Sequence, residues 1–461
     1  MKKILVIALL LIAAVLVVPG VVGYQAEQRY RALVGQIDAS GLEVVEDDYR
    51  RGWFGADAVT RIRLPLSAGG ATDTETRQEL VLRSRISHGP LTAQGVALAE
   101  IDTDLESGGT SLSARSGSTI RTMIAIDGTG HTRIRVPEQE IEQGAGDPTL
   151  RFLGLEGEID FDLDREKGDF RFRSPGILVQ QEGRTLVQLD RLELDSRTWR
   201  GVSGLMLGAG RLTIDRIGMD APDLPGRVEL RGLSVTGESG EQGGAGELVS
   251  VALEYRLAGL DYGKRHYSDG VLRMAASRLY APVLLRIQQT TEQMQQRRMS
   301  EAEVGMAMMG LLTGQLPDLL RQDPKLVLEP IGLTTPEGVV KAGLSLQSVG
   351  LRVADLQDQA RLLARLEGRA SLRLPETLFR EMLQQQNLLA LQEQQAATGA
   401  ESAETDREGL QGQARQMAQQ QLQQWLDQGL LQRDGDALQS RVVLSGGRLQ
   451  INGRTVPLPQ S

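Results

Sequence analysis

Three histidines, at 88, 131 and 266, are the only imidazoles in the chain, and there is no cysteine. They stand far apart, and none has a second His or Cys at metal-ligand spacing, so no metal site is expected. As a general base, His88 would need an orienting carboxylate and a nucleophile, and folding would have to bring both from elsewhere in the chain. His88-Gly89-Pro90 reads more simply as a structural turn after a strand, with the imidazole bonded to backbone near Pro90. The second candidate is Asp47-Asp48-Tyr49-Arg50-Arg51-Gly52-Trp53-Phe54-Gly55, in a chain where aromatics make up only 3% of residues. Arg51 could grip a phosphate or carboxylate; next to Asp47 and Asp48 it reads as a local ion pair or a lid stacked on the aromatics. Asp160, Asp162 and Asp164 mimic the opening of a calcium loop, but Arg165 and Arg171 replace the turn glycine and the bidentate glutamate. That places the three acids on a solvated strand face. Gly240–Glu247, GEQGGAGE, lacks both the P-loop lysine and a dinucleotide fingerprint, so it reads as a loop and no cofactor is expected.

The elements around these residues are mostly strands. Leu42–Tyr49 and Asp57–Arg63 flank a tight connection at 51–55, where Gly52 would permit a positive φ and the aromatics would cover the first sheet edge. Gln78–Ser87 is a strand running into His88. Residues 155–164 alternate apolar and acidic except at Gly157, Arg165–Gly168 supplies a turn, and Phe170 and Phe172 resume the alternation, so 155–173 is a β-hairpin. An apolar-x-apolar-x-x-apolar-x-apolar pattern recurs five times: Val187/Leu189/Leu192/Leu194, Leu212/Ile214/Ile217/Met219, Val228/Leu230/Leu233/Val235, Leu326/Leu328/Ile331/Leu333 and Leu344/Leu346/Val349/Leu351. An extra residue in a bulge would return each second pair to the face of the first. The expected architecture is α+β and β-dominated: an N-terminal transmembrane helix, then a long, curved, mostly antiparallel sheet with helical insertions.

Helical spacing marks Tyr280–Arg298 and Glu301–Gln322, with Pro317 as a break and Met306, Met308 and Met309 as core packing. Pro375–Gln395 begins an amphipathic pattern, AATGAESAETD at 396–406 reads as a linker, and Ala414, Ala418, Leu422 and Leu426 mark one face of a Gln-rich helix beside Trp425. Arg448–Arg454 reads as strand, Asn-Gly turn, strand.

At 461 residues the chain exceeds one ordinary core, and its net charge of −9 argues against a nucleic-acid partner. Lys2-Lys3 precede the unbroken apolar run Ile4–Val18, which Pro19–Tyr24 extends to about the ~20 residues a bilayer-spanning helix needs. The reading adopted is an uncleaved anchor with its positive end in the cytoplasm; a cleaved signal peptide ending near Gly23 is the alternative. The organisation expected is therefore 1–24 transmembrane signal anchor, 25–279 β-rich periplasmic region, 280–323 helical insertion, 324–374 β-rich region, 375–434 Gln-rich helices with the 396–406 linker, and 435–461 C-terminal strands.

Tyr49-x-Arg51-Gly52-x-Phe54 and His88-Gly89-Pro90 follow in that order behind an anchor, ahead of a β-rich chain closing on Gly447-x-Leu-x-Ile-Asn-Gly453. Together they resemble the YdgA-like family of bacterial envelope proteins of unknown function, over nearly the whole chain. The resemblance implies an inner-membrane, single-pass anchor and a periplasmic body, and it supplies no catalytic residue. In texture the strand array is also similar to the AsmA-like proteins implicated in moving phospholipid. Three classes remain: a non-enzymatic module binding phospholipid or an apolar protein segment on a sheet face, an envelope scaffold, and an unrecognised hydrolase. An apolar sheet face left uncovered by helices would discriminate the first.

Overall fold

The computed structural model describes residues 27–28, 30–31, 34, 43–52, 55–64, 78–88, 97–107, 110–111, 117–141, 148–220, 226–244, 246–296, 306–307, 310, 314–315, 317–320, 322–352, 354–355, 358–398 and 404–456. The chain divides into two compact units: residues 1–221 with 284–311, and residues 222–283 with 312–461. The division falls inside the expected 25–279 region.

The first unit contains β1 (Glu43–Arg51), β2 (Gly55–Leu64), β3 (Gln78–His88), β4 (Ala99–Ser107), β5 (Thr110–Ser111), β6 (Thr119–Ile124), β7 (Thr129–Val136), β8 (Gln139–Ile141), β9 (Thr149–Phe152), β10 (Leu155–Asp162), β11 (Lys167–Gln181), β12 (Arg184–Arg200) and β13 (Met206–Met219). Every described pairing is antiparallel, in the order β1-β2-β3-β4-β6-β7-β10-β11-β12-β13. Strand β5 adds to β4, while β8 pairs with β9 and β9 with the far end of β11. The expected 155–173 hairpin is present as β10 and β11. Asp162 closes its turn by accepting from the backbone N–H groups of Asp164 and Arg165.

The second unit contains β14 (Val228–Gln242), β15 (Leu248–Tyr262), β16 (Arg265–Tyr280), the start of α1 (Ala281–Gln296), β17 (Lys325–Thr335), β18 (Gly338–Ser348), α2 (Gln359–Ala364), β19 (Leu366–Pro375), α3 (Glu376–Thr398), α4 (Glu404–Asp427), β20 (Gln432–Asp434), β21 (Ala437–Ser445), β22 (Arg448–Ile451) and β23 (Arg454–Val456). It is an antiparallel run β14-β15-β16-β17-β18-β19-β21-β22-β23, with β20 on β21. Helices reach further into 396–406 than the linker reading allowed, from one side to Thr398 and from the other back to Glu404. Strand β14 likewise runs through Gln242, so the first three residues of GEQGGAGE are strand and the rest precede β15. The Asn-Gly turn joins β22 to β23 with Asn452 and Gly453 both at positive φ, and the Asn452 side chain ties it to the backbone of Arg441, Gly429 and Leu430.

The recurrent apolar pattern has a different cause from the one expected. In β12 and β13, Leu189 faces Ile217 and Leu192 faces Ile214 in one unbroken register, so neither strand carries an extra residue. Instead Arg191 adopts φ 44°, and its guanidinium pairs with Asp215 at 3.3 Å. A left-handed residue reverses the pleat, so the apolar pairs before and after it point to the same side. Gly232, at φ 61°, does the same in β14, where Leu230 faces Leu260 and Leu233 faces Leu257. A Cβ at Gly232 would stand 2.7 Å from that of Ala258, a second reason for glycine. Only the copy in β17 is a true bulge, with the register shifting between Leu328 and Ile331. The last copy is only half strand: β18 ends at Ser348, and Val349 turns away to donate to the Arg365 carbonyl.

Candidate functional site

Antiparallel register places directly opposed residues on one face, so rows of side chains can be followed across strands. In the second unit one row runs Leu253, Met274, Leu328, Leu344, Ala370, Val442, Ile451 from β15 to β22. The row beside it is Val251, Ala276, Leu326, Leu346, Gly368, Leu444, Leu449, Val456. Neither row contains a charge or a hydrogen-bonding side chain. Yet none of these residues is buried: all are half-buried or exposed, with Val251 at 39% and Leu326 at 41%. Burial on this face lies at its two ends: α3 and α4 bring Leu383, Ala418 and Leu422 onto Leu374 and Leu438 at one, and Val249 and Ser348 are buried at the other, where the Ser348 hydroxyl donates to the Leu320 carbonyl.

The first unit repeats the arrangement. Ile134, Gly157, Phe172, Leu194 and Leu212 form one apolar row, and Leu150, Val179, Val187 and Met219 another. Apart from Gly157, over which the Phe172 ring lies, all are half-buried or exposed. The covered end here is the N-terminal one, where Tyr30 and Val34 pack on Ala56, Ala58, Ile86, Ala99, Ile101 and Ile124. The opposite face is charged. A single row reads Arg50, Asp57, Arg85, Asp102, Arg121, Arg133, Glu158, Arg171, Asp195, Arg211 across ten strands. Signs alternate except at Arg121 and Arg133, and Arg121 is satisfied by Asp102 at 2.7 Å. Such pairs keep that face in water.

The residues singled out by sequence lie at the covered end of the first unit. Residues 47, 49 and 51 of β1 share one face and 48 and 50 the other, which decides the pairing. Arg51 reaches Glu27 at 3.6 Å rather than Asp47 or Asp48; Asp48 pairs with Arg50 at 2.8 Å, and Asp47 with Arg31 at 3.8 Å. Tyr49 packs on Tyr30 with ring centroids 5.4 Å apart. Its buried hydroxyl has no partner among the described residues, and burial, then the Glu27 carboxylate, pushes the phenol up to about 12. Gly52 donates its N–H to the Gly55 carbonyl at 2.7 Å without adopting a positive φ. Its requirement is space: a Cβ there would stand 3.0 Å from that carbonyl oxygen, and one on Gly55 2.8 Å from the Ile86 oxygen.

His88 is 4% exposed, beside this turn, and neither ring nitrogen has a hydrogen-bond partner among the described residues; the backbone near Pro90 that it was expected to bond lies outside them. Burial holds its pKa below the ordinary value; the Gly55 and Gly52 backbone, close but outside hydrogen-bond geometry, offsets part of this, and the Arg51 charge adds to it. Tyr49, Arg51, Gly52 and His88 are thus brought together, while Trp53, Phe54, Gly89 and Pro90 lie outside the described residues.

Sequence reasoning missed that the other two histidines each meet an aspartate. His131 Nδ1 lies 2.7 Å from Asp160 across β7 and β10, and His266 Nδ1 lies 2.6 Å from Asp261 across β15 and β16. The His131 hydrogen bond, more than that of Arg171, holds the Asp160 carboxyl below its usual range. The acid alternation at 156–162 was the only available signal; the partner strand is a matter of register. Among the described residues no group of three or more His, Asp or Glu is placed to hold a metal ion.

Fold and site together define a two-faced antiparallel β protein, charged on one side in its first unit and carrying open apolar rows in both. The chain belongs to the family described as bacterial protein of unknown function (DUF945), which matches residues 1–459. No curated protein and no solved structure matches it.

Proposed function

We propose that this is a YdgA-like, inner-membrane-anchored periplasmic protein of envelope maintenance, non-enzymatic, that binds an apolar partner on its sheet face. The observation carrying this reading is the pair of uncharged rows spanning β15 to β23, left half-exposed. Exposed apolar area costs about 25 cal/mol per Å², so a contiguous face of this size favours an occupant. The rows offer area and no titratable group, which suits binding rather than catalysis. For the anchor, support comes from Lys2-Lys3 and the apolar run 4–24, which lie outside the described residues; among the described ones no helix is long and apolar enough to cross a membrane.

Mass spectrometry of the detergent-extracted full-length protein is expected to find co-purifying lipid or an apolar protein segment, lost on Leu326→Asp and Leu346→Asp while the fold persists. A clean wild-type extract, or unfolding of both variants, would reject the binding role and leave a scaffold. Mature protein beginning at Tyr24 would reject the anchor.

A further inference from the structure

We infer that the occupant of the second unit's face is a phosphate-bearing diacyl lipid, with its alkyl chains on the apolar rows and its phosphate at the β15–β16 hairpin tip beside Lys264 and Arg265. The inference rests on the open-face reading and narrows it to one chemical class.

The first argument concerns hydrogen bonds. Each strand from β15 to β19 is paired on both sides, so its backbone N–H and C=O groups are spent in the ladder. The rows above add no polar side chain. A peptide laid on them would bring its own amide groups onto a surface that cannot satisfy them, a costly burial. An alkyl chain brings none.

The second argument is charge complementarity. The left-handed Gly232 and Asp269, at φ 61° and 52°, carry the apolar face past the pleat reversal. It continues through the rows Leu230, Leu260, Tyr267 and Val228, Tyr262, Arg265. Here the apolar surface ends in two tyrosines, of which Tyr262 is 41% exposed, and two cations in a chain whose net charge is −9. Lys264 is exposed in the turn with no ion pair among the described residues, and Arg265 lies against the Tyr267 hydroxyl and 3.4 Å from Glu381 of α3. Apart from Glu381, the nearby acids are committed on the opposite face, Asp261 to Arg231 and His266, and Glu229 to Arg227 and Arg231. Amphipathic tyrosines with Lys and Arg are the side chains that suit a boundary between alkyl chains and phosphate.

The test compares phosphatidylglycerol with diacylglycerol of the same chains, each titrated into delipidated full-length protein in detergent. Wild type should bind both, the phospholipid about tenfold more tightly. The double variant Lys264→Ala, Arg265→Ala should retain diacylglycerol and lose the preference. Lys264→Ala alone, which leaves the contact with α3 intact, should lose part of it. Equal binding of both lipids by wild type, or an unchanged preference in the double variant, would overturn the phosphate site and leave the open face standing. Failure of wild type to bind either lipid would overturn both.

Discussion

Truncating Leu326 to alanine measures how open the apolar face is, because the cost of losing a leucine depends on how much of it folding removed from water. Fully burying a leucine is worth about 1.5–3 kcal/mol. Leu326 keeps 41% of its surface exposed, so folding recovers roughly six-tenths of that, and water fills the space left behind without a cavity. Leu326→Ala should therefore cost about 1 kcal/mol. Leu438, on the same sheet but beneath α3 and α4, is 0% exposed, and its truncation should add a cavity term for a total of about 3–5 kcal/mol. For a unit of roughly 200 residues each kcal/mol shifts Tm by about 2–4 °C. Calorimetry on delipidated protein should thus show a drop of about 2–4 °C for Leu326→Ala and several times more for Leu438→Ala. Comparable drops would mean that Leu326 sits under a cover, and the open-face reasoning would fail.

Tyr49→Phe removes a buried hydroxyl that has no partner among the described residues and should leave thermal stability unchanged or slightly raised; a loss above about 1 kcal/mol would show a hydrogen bond there. His88 has a lowered pKa in the folded state, so its contribution is fully present above the unfolded value of about 6.5 and is lost as pH falls from there through the folded value. In His88→Gln, denaturant titrations should show a shallower loss of stability below pH ~6.5 than in wild type; identical slopes would rule out His88 as the source. Asn452→Ala removes three side-chain hydrogen bonds at a left-handed position and should cost about 2–3 kcal/mol, read as a lower denaturation midpoint; a neutral effect would show that the turn does not depend on that clamp.

The strand character of the chain is legible from sequence alone, because two-residue alternation and turn chemistry are local. The 155–173 hairpin, the Asn452-Gly453 turn and the helical pattern around Ala414, Ala418 and Leu422 were all legible for that reason. The recurrent apolar pattern was legible too, but not its cause: a bulge and a left-handed residue leave the same spacing, and only the register of β12 on β13 separates them. Local sequence also suggested a partner for Arg51 among its neighbours, whereas strand alternation sent Asp48 to the other face and left Glu27, far upstream, to meet it. The pairing of His131 with Asp160 and the ten-strand charge row depend on which strands lie side by side, a choice made by the whole sheet. Most of all, an apolar row on a strand reads the same whether a helix covers it or water does. Among the described residues, helices pack over Leu438 while Leu326 stays 41% exposed, and that difference is fixed by tertiary packing, because coverage is a property of what lies above a strand and not of the strand itself.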